Sequence, residues 1–344
     1  MGRDRHVFPL SADIVCSPGF LDALRDAIHA WSIGLYDEAS GGFRQNADIG
    51  VNIMSSTDMV WMRYATNDPD PGAPDRAKLI AYLEAAQEPD TGMVRHDPGP
   101  AGQNHCDAHA FWQTVRALSI LGGKLRHFPH HLASLVTPEG LAAWFDSIDW
   151  DSRDHSNHHE VLGIVPLLAS LDDPEWTDVF YAKITEQQET DTGGWPRGET
   201  NISRTYAYTV IHLATGRVAP LPDRTTDTML ALQQPDAMWD GPPPAFHTMD
   251  AAYVLLRLPP LVGHRETDAR AALRRLADAL PESFIRNQRR YMDNPHKMLA
   301  VTQTFQLLQE AFPNDFPSIP PYRFDWDKPE VYACDVIREG RPET

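Results

Sequence analysis

Six copies of one unit run along this 344-residue chain, and that recurrence limits what it can fold into more than any other feature. Each copy reads as an amphipathic segment, a loop rich in Gly and Asp, and then a more uniformly apolar segment of helix length. The apolar segments begin near Ser55-Ser56-Thr57-Asp58, His105-Cys106-Asp107, His155-Ser156-Asn157, Asn201-Ile202-Ser203, Phe246-His247-Thr248 and Asn294-Pro295-His296. Counted from Ser56 through Asp107, Ser156, Ser203, His247 and Pro295, the steps are 51, 49, 47, 44 and 48 residues. The segments before them, 20–35, 76–87, 138–147, 175–188, 224–234 and 267–285, each carry a polar face. The spacing therefore predicts an all-α chain of six helical hairpins, with apolar helices inside and amphipathic helices outside.

Most of the inner segments open with Ser, Thr, Asp or Asn, side chains that satisfy the free backbone donors of a helix start, and Pro295 suits a first helical position. Six similar hairpins favour closure into one (α/α)6 toroid spanning 1–344, with an N-terminal arm over 1–18 and a tail from 313 to 344 that wraps back. An open helical solenoid is the alternative. Hydrophobic residues make up 42% and charged residues 23%, which excludes disorder. The excess of 48 acidic over 30 basic residues gives −18, which opposes nucleic acid and anionic membranes as partners. No apolar run reaches membrane-spanning length and no signal-like stretch opens the chain, so a cytoplasmic location is expected. Cys16, Cys106 and Cys334 are too scattered for a disulfide framework or a zinc knuckle. Oligomeric state is left open.

The loops share a second signature. Gln187-Gln188 precede Asp191-Thr192-Gly193-Gly194-Trp195, and Asp37 precedes Gly41-Gly42-Phe43; weaker copies are Gln87 with Asp90-Thr91-Gly92-Met93, and Gln233-Gln234 with Met238-Trp239. Glycine allows the tight turn and the aromatic ring fills the space between hairpins, so these loops are expected to be structural. They resemble the Gln…Gly-Gly-Trp repeats of the prenyltransferase and squalene-cyclase superfamily and the loops of toroidal carbohydrate-active enzymes. That resemblance implies architecture rather than chemistry.

In a toroid the starts of the inner helices surround one mouth, and polar residues gather in those windows. They supply Asp58; His105, Asp107 and His109; His155, Asn157, His158, His159 and Glu160; Arg204, Tyr206 and Tyr208; His247 and Asp250; and His296 and Lys297. His29, His127, His130, His131 and His264 are expected in loops or at the surface, and His212 in the core. Helix N-termini favour anions and disfavour imidazolium, which suits histidine to general-base work. Arg204 and Lys297 add fixed positive charge, pointing to a small anionic substrate.

Asn157-His158 on one hairpin and Arg204 with Tyr206 or Tyr208 on the next resemble the site of toroidal polysaccharide lyases of the alginate-lyase kind. The resemblance implies β-elimination on a uronic-acid-containing oligosaccharide. Asn157 would bind the carboxylate, His158 act as base, Tyr206 or Tyr208 as acid, and Arg204 as a positioning group. His159-Glu160 and the short Arg-to-Tyr spacing depart from that pattern. The remaining window residues are expected to bind substrate. Glycoside hydrolysis is the first alternative, with paired carboxylates drawn from Asp58, Asp107, Glu160 and Asp250. Terpenoid or prenyl chemistry is a weaker one, because no Asp-x-Asp-Asp acid motif is present. No cofactor is required, although His155, His158 or His159 with Asp107 could hold a divalent metal. A non-enzymatic helical-repeat binding protein is the last alternative.

Overall fold

The computed structural model describes residues 10–14, 17–95, 107–150 and 156–339, the side chains of 156–158 excepted. Most of the expected N-terminal arm and the last five residues therefore lie outside it. The α-helices are α1 (Phe20–Leu35), α2 (Ile53–Ala65), α3 (Arg76–Ala85), α4 (Asp107–Leu121), α5 (Pro138–Ser147), α6 (Ser156–Gly163), α7 (Val165–Ser170), α8 (Pro174–Glu186), α9 (Ile202–Ala214), α10 (Pro222–Ala231), α11 (Phe246–Val262), α12 (Glu266–Met292), α13 (Pro295–Ala311) and α14 (Asp335–Glu339). Among the described residues, strand-like pairing is limited to isolated bridges such as Trp195 with Asn201. No helix there is long and apolar enough to cross a membrane.

The apolar helices pack on one another in the order α9, α11, α13, α2, α4, α6. α3 packs against α4, α10 and α12 against α11, and α12 also against α13, while α5 and α8 pack together. Asparagine begins three of the inner helices: the side chains of Asn52, Asn201 and Asn294 accept the backbone N–H of Ser55, Arg204 and Lys297. On the outer helices Asp75, Thr137 and Asp173 cap in the same way.

Three boundaries correct the sequence reading. α2 starts at Ile53, behind Asn52, so Asp58 lies in its second turn and caps nothing. The third inner segment is broken into α6 and α7, because Pro166 has no N–H to donate back and its ring crowds the preceding turn. α12 continues to Met292, beyond the expected end at 285.

The loop signature holds the hairpins together. The amide Nε2–H groups of Gln87, Gln188 and Gln233 each donate twice: to Gly92, Gly193 or Ala237 in their own turn, and to His127, Pro220 or Ala272 of the next hairpin. The backbone N–H groups of Phe43, Trp195 and Trp239 donate to the hydroxyls of Ser56, Thr205 and Thr248 on the inner helix that follows. Gly193, at φ +68°, is required: a Cβ there would stand 2.7 Å from the Leu221 carbonyl oxygen.

The tail runs back over the inner helices. Arg323 N–H donates to the Ala65 carbonyl, the Tyr322 hydroxyl to that of Leu21, and Trp326 Nε1–H to Gln303. A short 3-10 turn, Pro329–Tyr332, then packs on α4 and α7, and Cys334 N–H reaches the Ser170 hydroxyl.

Candidate active site

The α6–α7 pair and α9 face each other across a cavity of about 560 Å³, which α4, α11, α13 and the tail complete. Most of its polar lining comes from the first two turns of the inner helices: His109 of α4, His159 of α6, Ser203 and Tyr206 of α9, His247 and Asp250 of α11, and His296 and Lys297 of α13, with Gln113 and Thr215 further along α4 and at the end of α9.

Two pairs dominate its chemistry. His296 Nδ1 lies 3.0 and 3.1 Å from the two carboxylate oxygens of Asp58, whose side chain is only 1% exposed. With Nδ1–H donating to that buried carboxylate, Nε2 is the basic nitrogen. The Asp58 carboxylate stands behind the imidazole rather than in the lining itself. On the adjoining helix, Asp250 is buried and accepts from the Ser203 hydroxyl at 2.6 Å. Burial pushes the Asp250 carboxyl well above the ordinary carboxylate range, with repulsion from Asp240 adding to it, so it favours the acid form.

Tyr206 lies beside them, with its hydroxyl buried, raised well above the ordinary phenol range by burial, and hydrogen-bonded to no described residue. The histidines form a connected ring set: His109 is 4.5 Å from His159 and 5.6 Å from His296, centroid to centroid, and Phe246 covers His296 at 4.3 Å. Arg116 Nη2–H donates to Gln113 Oε1, which turns the Gln113 amide nitrogen toward His109 Nε2.

The aromatic wall has its own brace. The Arg116 guanidinium is fully buried, with its carbon 3.7 Å from the Trp61 ring, 3.9 Å from Trp326 and 4.8 Å from Trp112. Burial lowers its pKa, partly offset by the Tyr332 hydroxyl. Trp112, Trp326 and Tyr332 present their other surfaces to the cavity.

The expected residues divide clearly. Asp58, His109, His159, Tyr206, His247, Asp250, His296 and Lys297 lie in or directly behind the cavity lining. Arg204 and Tyr208 are buried but absent from that lining, and Tyr208 packs on Trp195. Asp107 pairs with Arg95 outside the cavity, and Glu160 is exposed. His105 and His155, and the side chains of Asn157 and His158, lie outside the described residues. Among the described residues no group of three His, Cys, Asp or Glu side chains is arranged to hold a metal ion.

Two contributors escaped the sequence reading. Asp240, in the loop before α11, accepts from Ala245 N–H and the Thr248 hydroxyl and so supports the helix that carries Asp250. Trp326 of the tail closes one wall; its only sequence signal is its place among the aromatic residues Phe316, Tyr322 and Phe324 of a proline-rich stretch.

No protein-family model matches the chain, and neither a curated protein nor a solved structure is detectably similar to it.

Proposed function

We propose that this chain is a single-domain (α/α)6 toroid enzyme, a lyase that cleaves a small uronic-acid-containing saccharide by β-elimination. The run of inner helices α9, α11, α13, α2, α4 and α6 supports the toroid: all but α2 give polar side chains to one cavity near their N-terminal ends, and α2 supplies Asp58 behind it. The observation that carries the chemistry is the pairing of an acid with a base there. Asp250 is a carboxyl whose hold on a proton is strengthened by burial, and His296 is an imidazole oriented by Asp58.

In the proposed step, His296 Nε2 takes the proton from the carbon next to the substrate carboxylate. The carbon–oxygen bond β to that carboxylate breaks as the double bond forms, and the leaving oxygen takes the Asp250 proton. The products are an unsaturated uronate and a free hydroxyl. Lys297 and His247 are the cationic and hydrogen-bonding groups available to the carboxylate at the mouth, a role the resemblance gave to Asn157. Trp112, Trp326 and Tyr332 offer flat faces of the kind on which sugar rings stack.

Hydrolysis is less well supported. It needs two carboxylates flanking the scissile bond, and of the four candidates only Asp250 lines the cavity. The test is incubation with a panel of uronic-acid oligosaccharides, following ultraviolet absorbance and new reducing ends together. Absorbance from an unsaturated product is expected. New reducing ends without absorbance overturn the elimination reading in favour of hydrolysis.

A further inference from the structure

We propose that the substrate carries an apolar substituent on its leaving oxygen, and that the lobe of the cavity between α7 and α9 holds that substituent. Apart from Gln113, which bonds to His109, and Thr215 at the end of α9, whose hydroxyl is engaged by Tyr181 and by the Ile211 and His212 carbonyls, the polar groups that the helices give the cavity lie near the helix starts. Beyond them the wall consists of Leu168 and Ala169 on α7 and of Ala207, Val210, Ile211 and Ala214 on α9. Ser203, in the polar part, and Ala214, at the far end of the lobe, lie 11 residues apart on one helix. At 1.5 Å per residue, that is a run of about 16 Å. A second bare sugar would set its hydroxyls against this wall without partners, whereas an apolar chain or ring would displace water from it.

Tyr206 marks the junction. It is one turn beyond Ser203 and one turn before Val210, and its buried hydroxyl has no hydrogen-bond partner among the described residues. An ether oxygen joining the polar head to the apolar substituent would accept from that hydroxyl, beside Asp250. The position is therefore that of the leaving oxygen, and the lobe begins where the leaving group must lie. The inference rests on the elimination reading for the identity of that oxygen, while the preference of the lobe can be measured without turnover.

The probe is a series of 4-O-n-alkyl glucuronates from methyl to decyl, which carry the chain on the oxygen that leaves, titrated against the full chain by quenching of tryptophan fluorescence, since Trp112 and Trp326 line the cavity. Affinity should rise about threefold to fourfold per added methylene and then level off once the lobe is full. Ala214→Trp, which blocks the far end, should move the levelling point to shorter chains and leave 4-O-methyl glucuronate binding unchanged. Ala169→Trp, on the facing wall, provides the same test should the first variant fold poorly. Methyl and octyl compounds binding within twofold of each other would overturn the proposal, as would an unchanged chain-length dependence in both folded variants. A normal chain-length dependence with no unsaturated product from any uronate would support the lobe and defeat the elimination reading alone.

Discussion

Asp58 and His296 are 238 positions apart and face each other at hydrogen-bonding distance. Each was legible as a polar residue near an inner-helix start; their pairing was not, because only closure of α13 against α2 brings them together. Asp58→Asn keeps the shape of the pair but removes the charge that orients the imidazole. It should lower kcat at least roughly 100-fold with little change in Tm; full activity would remove the pair from the mechanism. Asp250 carries a pH signature. Its raised pKa means the folded chain binds a proton that the unfolded chain has released, so stability falls as pH rises above the ordinary carboxylate value of about 3.9 toward the raised one. Asp250→Asn should flatten that decline and be more stable than the parent in the alkaline part of the window, measured by urea unfolding across pH. Helical geometry explains the tyrosines. Tyr208 lies one turn from Arg204, on a face away from the cavity, whereas Tyr206 is rotated about 200° from Tyr208 and faces inward. A sequence offers both, and only packing chooses.

At the level of elements, the hairpin period and the loop signature were readable because each has a local physical cause. Three asparagine caps and the glutamine clamps repeat in the structure as they repeat in the chain. Gly193 and Gly198 separate conformational strain from crowding. Both have positive φ, but an added Cβ meets backbone at the first and nothing within 4 Å at the second. Gly198→Ala should cost about 1 kcal/mol and Gly193→Ala at least about twice that, by equilibrium unfolding. Equal losses would remove the close approach of the two hairpins as a constraint. The break at Pro166 was visible in the sequence and was passed over, since the apolar pattern continues straight through it.

Across the whole molecule, the tail matters more than its sequence suggests. A proline-rich stretch with scattered aromatic residues supplies Trp326, which lies against Arg116, donates to Gln303 and closes the cavity. Trp326→Ala should cost about 3–5 kcal/mol through the space it leaves and the guanidinium face it uncovers. The cavity itself was only half legible. Most of its polar groups followed from the helix starts, but the apolar lobe exists because α7 and α9 stand apart, and no pattern in either helix encodes a gap between them. The central claim is that Asp250 gives its proton to a leaving oxygen in this cavity. The most direct measurement compares the parent chain with Asp250→Asn on two uronates, one with a sugar alcohol as leaving group and one with a nitrophenolate, which needs no proton. The variant should lose at least roughly 100-fold on the first and far less on the second. An equal loss on both, no loss on either, or no unsaturated product from the parent chain would contradict it.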